Sequence, residues 1–450
     1  MSMSQAIACP ALLICAPASG QGKTTVTAAL ARLHARRGRR VAVFKCGPDF
    51  LDPHWLALAS GRHVHQIDLW MTGEDDIRRR LHEAAASADL ILIEGVMGMF
   101  DGAPSAADLA EKFGVPVMSV IDASAMAGTF GALALGLRTY QPGVRWAGVL
   151  ANRVASAPHA QMLQDSLREA DAWLGSLAYD ASCSFPERHL GLTVASELAD
   201  ALERLDAVAD LLEGTPLGAM TAQSLQQWSV EFQPAVHDAG QGAALAAALA
   251  GKTIAVARDA AFCFLYQANL DVLEGMGASL EFFSPLADAA LPACDAVWLP
   301  GGYPELHGRA IGDNAGMRDS LKAHVAVGRP VWAECGGMMA LFDELRLADG
   351  TAWPMWGLLP GTVRMQARLA GLGPRQLSLG EETLRGHTFH YSVTETALPA
   401  MAQAVRPGAP AGAAGEAFYR QGPVRASYFH PWFASNPQAA ARLFLNEAQA

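Results

Sequence analysis

A strand-like run, ALLICAP at 11–17, empties into ASGQGKTT at 18–25 and then into a helical stretch. Backbone N–H groups from Gly20 to Lys23, with a helix N-terminus behind them, form a cradle for a phosphate anion. Gly20, Gln21, Gly22, Lys23, Thr24 and Thr25 are therefore candidates for binding ATP. Lys23 can reach the β- and γ-phosphates, and the Thr24 hydroxyl can ligate Mg²⁺. Pro17 stands where GxxxxGK[ST] usually begins with glycine, but the strand–loop–helix order is intact.

A Mg–ATP site needs further carboxylates at the same strand edge. KCGPDFLDP (45–53) supplies Lys45, Asp49 and Asp52, and IEGVMGMFDG (93–102) supplies Glu94 and Asp101. Acids just after parallel strands project into the crevice where open α/β sheets bind ligands. Asp52 before Pro and Asp101 before Gly also suit a helix cap or a turn. Glu94 ends a fully apolar strand, where an unpaired carboxylate would be costly, so a metal or a cation is expected beside it. Asn152, in LANRV, could read an adenine edge or simply close a strand.

The second chemical signal is PVWAECGGMMAL (330–341), a strand, a sharp Gly-bearing turn and a helical run. A nucleophile on such an elbow stands clear of the sheet, and the following N–H, that of Gly336, faces its thiolate. Cys335 is the candidate nucleophile. Its base should be a histidine distant in sequence. His430 in ASYFHPWF is the choice, with His387 and His390 in RGHTFHYS as rivals. LPGGYPE (299–305) offers Gly301 and Gly302 as oxyanion donors. Cys9, Cys15, Cys46, Cys183, Cys263 and Cys294 lack such a setting and read as core or neutral.

Both constellations need rigid strand ends behind them. Strands are expected at 11–17, 41–45, 90–94, 115–121 and 146–151, with a helix over 23–37. Their unbroken apolar character predicts a parallel sheet covered on both faces, hence right-handed βαβ units and a doubly wound domain. The polar, Pro- and Gly-bearing stretch EFQPAVHDAGQG (231–242) breaks the pattern. A second αβ alternation then begins, with strands at 252–258 and 279–284, strand-then-turn units at 296–302 and 330–337, a helix over Phe264–Gly275 and a surface loop at 404–415. A boundary near residue 245 separates domains at 1–240 and 250–450.

With 51% hydrophobic and 17% charged residues over 450, the chain is globular and large enough for two to three domains. A net charge of −11 argues against nucleic acid as a partner. Seven scattered cysteines without a CxxC pair fit reduced thiols in a cytoplasmic enzyme. The apolar run at 7–18 lacks a charged flank and leads into the phosphate loop, so it reads as a strand rather than a signal segment. No apolar stretch reaches the roughly 20 residues of a membrane span.

APASGQGKTTVT, KCGPDFLDP, EGVMGMFDG, PERHLGL (186–192), VARDAAFCFLYQANLDVLE (256–274), PGGYPELH, AECGGMM and RGHTFHYS together resemble the cobyrinate (or hydrogenobyrinate) a,c-diamide synthase family. The likeness runs in order across nearly the whole chain. It implies a dethiobiotin-synthetase-like P-loop domain followed by a class I, cobyric-type glutamine amidotransferase domain. It implies ATP, glutamine and a corrin polycarboxylate as small-molecule partners, and a homodimer is compatible with it. Glutamine would be hydrolysed at Cys335 with His430, and ammonia would displace phosphate from an acyl phosphate made with ATP. The resemblance assigns Thr24, Asp49 and Glu94 to Mg–ATP, and Lys45 and Asp101 to the reacting carboxylate. Phe50 and Leu51 fall in the segment that touches substrate, where many members have Tyr in place of Phe50.

Other glutaminases carry an acid two residues after the histidine. Trp432 stands there, so a Cys–His pair is expected and the orienting third group is left open. Competing readings are cobyric acid synthase, nickel-sirohydrochlorin diamide synthase and a cell-wall amidating relative. A P-loop switch of the partitioning type is a further reading, and it leaves the Cys335 elbow unexplained.

Overall fold

The computed structural model describes residues 5–180, 185–188, 191–192, 195, 198–235, 247–410 and 412–446. The chain divides into two compact units, Met1–Val236 and His237–Ala450. Cys183 and the span 236–246, within the stretch read as a linker, lie outside the described residues.

In the first unit, β1 (Ile7–Cys15), β2 (Val41–Cys46), β3 (His65–Ile67), β4 (Leu90–Glu94), β5 (Val117–Asp122), β6 (Trp146–Val154) and β7 (Trp173–Ala178) form one sheet. Their order is β3-β2-β4-β1-β5-β6-β7, and each neighbouring pair is parallel. Alternate residues of β1 enter different cores, as the two-residue period of a strand requires. Leu12 and Ile14 pack with Val26, Leu30 and Trp55, whereas Ala11 and Leu13 pack with Ile77, Leu81 and Leu109. Helices α1 (Lys23–Arg36) and α2 (Asp52–Ser60) therefore cover one face, and α3 (Glu74–Ser87) and α4 (Ala106–Phe113) the other. The short strands β8 (Glu187–Arg188) and β9 (Gly191–Leu192) pair with each other, and β10 (Ser229–Phe232) runs antiparallel along the first half of β1.

The second unit opens with β11 (Thr253–Ala257), β12 (Ser279–Phe283), β13 (Ala296–Leu299) and β14 (Val331–Glu334). Next come β15 (Glu344–Arg346), β16 (Ala352–Pro354), β17 (Thr362–Met365), β18 (Gly371–Leu379), β19 (Glu382–His390) and β20 (Ser392–Glu395). The last four are β21 (Ala400–Ala404), β22 (Glu416–Gln421), β23 (Val424–Ser427) and β24 (His430–Pro431). The main sheet has the order β12-β11-β13-β14-β23-β22-β21, parallel from β12 to β23 and antiparallel beyond. Val297 and Leu299 face one core, Ala296 and Trp298 the other, so this sheet too is covered on both faces.

Two smaller sheets, the mixed β16-β15-β17-β20 and the antiparallel β18-β19-β24, are not announced by the apolar runs. The helix expected from Phe264 starts at Gln267 instead. The Phe264 N–H donates to the Gly301 carbonyl at 3.0 Å, which ties that residue into a bridge and excludes it from a helix. The loop expected from 404 also starts later, since Ala404 ends β21 and Val405 bridges Gln376.

Candidate active sites

The phosphate loop joins β1 to α1, and its shape depends on glycine at two left-handed positions, Gly20 (φ 76°) and Gly22 (φ 96°). A Cβ on Gly22 would also collide with the side-chain amide of Asn152. That amide donates to the Gln21 carbonyl at 2.9 Å, while the Gln21 side chain accepts from the Asp122 N–H at 2.8 Å. Asn152 thus braces the loop with one N–H of its amide and keeps its oxygen and the second N–H for a base edge. Lys23 Nζ donates to the carbonyls of Ala18 (3.2 Å) and Met97 (2.6 Å), bringing the turn after β4 against the loop. Met97 holds a φ of 47°, which costs a side-chain-bearing residue strain energy.

Beneath the loop lies a cluster of charge. Lys45 and Glu94 are direct partners in the β2–β4 register. Lys45 Nζ is 2.9 Å from Glu94 Oε1, 2.7 Å from Asp52 Oδ2 and 3.7 Å from Asp49 Oδ2. The Thr24 hydroxyl donates to Glu94 Oε1 at 2.7 Å, and Glu94 Oε2 is buried with no hydrogen bond. Burial alone would lower the Lys45 pKa, yet Asp52, Glu94 and Asp49 together hold it well above its ordinary value. Burial pushes Glu94 up to about 8, which Lys45 only partly offsets. Burial and the neighbouring Asp52 push Asp49 up to about 7.

Three carboxylates around one buried ammonium are short of positive charge. Among the described residues no group of three or more His, Cys, Asp or Glu is arranged as a ready metal cage. A Mg²⁺ shared with nucleotide phosphates needs only one or two protein oxygens. The Thr24 hydroxyl and the orphaned Glu94 Oε2 fit that requirement. Asp49 Oδ1 is committed to the N–H groups of Leu51 and Asp52, so it shapes the start of α2. Phe50 and Leu51 are buried in that turn. Asp101 is exposed and accepts the Gly98 N–H at 2.7 Å, as a turn former does. Asp52, which the sequence offers equally as a helix cap, is the closest anion to Lys45.

In the second unit β14 ends at Glu334, and Cys335 follows with φ 44° and ψ −106°. A non-glycine residue persists there only because its surroundings fix it, and here those are the β14–β23 pairing and the short helix from Gly336. The Cys335 N–H donates to the Ser427 carbonyl at 2.8 Å. The thiol is buried, and burial raises its pKa far above the ordinary value; the Gly336 N–H aimed at the sulfur opposes this. A Cβ on Gly336 would approach the Gly302 nitrogen to 2.9 Å, and one on Gly301 would strike the His430 ring. Gly301, Gly302, Gly336, Cys335 and His430 therefore share one locus.

A carboxylate beside the candidate histidine comes from the residue before Cys335. Glu334 Oε2 lies 3.3 Å from His430 Nδ1, and Glu334 Oε1 accepts from the indole N–H groups of Trp298 (2.9 Å) and Trp332 (2.7 Å). Burial pushes the Glu334 pKa up, while His430 and both indoles pull it back. The rivals separate clearly. His390 contacts the Ser392 carbonyl at 2.8 Å through Nδ1 and Glu416 at 3.2 Å through Nε2, and it stacks on Tyr428. His387 faces His430 across β19–β24 with the rings 5.0 Å apart, and burial lowers its pKa well below the usual value. Cys9, Cys15, Cys46, Cys263 and Cys294 are buried and unbonded to one another.

Residues 12–192 match the CobQ/CobB/MinD/ParA nucleotide binding domain family, and residues 253–438 match the CobB/CobQ-like glutamine amidotransferase domain family. The hydrogenobyrinate a,c-diamide synthase of Stutzerimonas stutzeri is 58% identical over 97% of this chain and 98% of its own length. The protein of the same name from Pseudomonas aeruginosa is 55% identical, covering 97% of each chain. The cobyrinate a,c-diamide synthase of Herminiimonas arsenicoxydans is 50% identical over 98% of this chain and 97% of its own.

Proposed function

The chain belongs to the cobyrinate and hydrogenobyrinate a,c-diamide synthase family, and from that premise we propose how its two units divide one amidation. It is an ATP-dependent ligase with glutamine as amido donor, acting on the a and c carboxylates of hydrogenobyrinic or cobyrinic acid in cobalamin biosynthesis. The carrying observation is a cysteine elbow with a carboxylate-held histidine in the same chain as a phosphate loop over buried carboxylates. We assign synthesis to 1–240 and glutamine hydrolysis to 250–450, in keeping with the family matches at 12–192 and 253–438.

In the second unit, His430 takes the Cys335 proton as sulfur attacks the amide carbon of glutamine. The Gly302 and Gly336 N–H groups, with the Gly301 turn, receive the oxyanion. Glu334 holds His430 by Nδ1, which leaves Nε2 as the proton carrier. His430 then protonates the departing ammonia, and water releases glutamate from the thioester.

In the first unit, Gly20 to Thr25 hold the phosphates, with Asn152 bracing the loop. A substrate carboxylate attacks the γ-phosphorus, and ADP leaves. Ammonia adds to the acyl phosphate, and phosphate leaves as the amide forms. Lys45 and Lys23 offset negative charge along this path, and Thr24 with Glu94 would hold Mg²⁺, which supplies charge neutralisation on the phosphates. Asp49, Phe50 and Leu51 shape the turn at the substrate side, and Asp101 fixes the facing turn. Among the described residues no helix is long and apolar enough to cross a membrane. We place the reaction in the cytoplasm, where ATP and glutamine are supplied.

The test is mass spectrometry of hydrogenobyrinic and cobyrinic acids after incubation with enzyme, MgATP and glutamine. A diamide from either is expected. An unchanged heptacarboxylate from both would sink the assignment.

A further inference from the structure

Glu305 lies on the single turn Pro304–Leu306, directly after the Gly301–Gly302 turn. That turn is pressed onto the cysteine elbow, since a Cβ on Gly336 would come within 2.8 Å of Pro304 Cδ. The Glu305 side chain has no hydrogen-bond or ion-pair partner on another residue among the described residues, and burial pushes its pKa up to about 7. Of the charged groups around the Cys335 thiol, Glu305 opposes ionisation most, ahead of Glu334 and Glu416. An uncompensated acid there is costly in itself and also suppresses the thiolate. The arrangement makes chemical sense if a cation arrives with the substrate. Glutamine does this, for its α-ammonium group sits on the order of 5 Å from the amide carbon that must meet the sulfur.

On the reading that this unit hydrolyses glutamine, we propose that Glu305 recognises the α-ammonium group of glutamine. The contact makes the site selective for an α-amino amide over a simple primary amide. Neutralising Glu305 with the bound ammonium also removes the charge that most opposes thiolate formation, so the nucleophile ionises most readily once its proper substrate is seated.

The experiment compares kcat/KM for glutamine and for glutaramate, which is glutamine without its α-amino group, in the wild type and in Glu305→Gln. The wild type should prefer glutamine by about 100-fold or more, because a site built around a polar group rejects the analogue lacking it. Glu305→Gln should lose most of that preference through a raised KM for glutamine, with glutaramate hydrolysis falling far less. An equal fall for both substrates, or an undiminished preference, overturns the proposal. A second readout is alkylation of Cys335 by the glutamine chloroketone, which carries the ammonium, and by iodoacetamide, which does not. Only the first should slow in the variant; slowing of both overturns the proposal. Should the neutral variant not fold, Glu305→Asp decides: a raised KM for glutamine supports the contact and an unchanged one refutes it. A wild-type protein that amidates with ammonium but never hydrolyses glutamine would instead overturn the glutaminase reading beneath.

Discussion

The two sites meet opposite demands with opposite means. The synthetase site crowds Lys45, Asp49, Asp52, Glu94 and Lys23 at one sheet edge, and some of its carboxylates are held partly protonated by burial. The glutaminase site instead stores its poise in a strained backbone at Cys335 and in a thiol kept neutral by burial. A site for a polyanion and a metal can carry unmet charge, because its ligands complete it. The proposed glutamine site keeps its nucleophile silent until Glu334, His430 and the ammonium of the substrate itself act on it.

The sharpest way to break this contrast is Cys335→Ala. Glutamine-driven amidation should fall by about 10³-fold or more, while ammonium-driven amidation persists. Loss of both in a steady-state assay would mean that the cysteine supports the fold rather than the chemistry. The mirror experiment, Glu94→Gln, should lower amidation by roughly 10³-fold from either nitrogen source and leave glutamine hydrolysis within about threefold. Normal amidation would remove Glu94 from the metal site.

The same substitution tests the charge argument by stability. Unfolded, Glu94 titrates near its ordinary 4.5; folded, near 8. Between those values the native state keeps a proton that the unfolded chain releases, so stability falls as pH rises through the window and stops falling above it. Asp49 adds the same sign between 3.8 and about 7. Glu94→Gln should therefore raise the ligand-free melting temperature at pH 8 by about 2 °C or more, and much less near pH 5. A lower melting temperature at pH 8 would show that Glu94 is fully compensated by Lys45.

Smaller effects separate positioning from chemistry. Glu334→Gln should cut glutaminase kcat by roughly 10²-fold, leave KM for glutamine nearly unchanged and shift the acid limb of the pH profile to lower pH. A flat profile with altered KM would make Glu334 a packing residue. Gly22→Ala meets both the φ of 96° and the Asn152 amide, so kcat/KM for ATP should fall about tenfold while glutamine hydrolysis is untouched.

What the sequence could reveal followed how local each signal is. The phosphate loop, the cysteine elbow and the apolar parallel strands are contiguous, so residues 11–25 and 330–337 carry their own context. Glu334 was equally visible, as an acid ending an apolar strand like Glu94. Its partnership with His430 is not legible locally, because the pairing is made between β14 and β24 rather than along one segment. Phe264 to Tyr266 look helical by composition, yet a backbone bond to Gly301 overrides that preference. β17 pairs with β20 and β19 with β24 across long intervals of chain, in registers that no local period encodes.

The central claim, that glutamine nitrogen reaches a carboxylate activated as an acyl phosphate, is tested most directly by double labelling. Glutamine bearing heavy amide nitrogen and hydrogenobyrinic acid bearing heavy carboxylate oxygen would be turned over with MgATP, and diamide and phosphate weighed by mass spectrometry. Heavy nitrogen in both new amides, with one heavy oxygen delivered to inorganic phosphate per amide formed, is the expected result. Phosphate free of heavy oxygen, or amides made with unlabelled nitrogen, would contradict it.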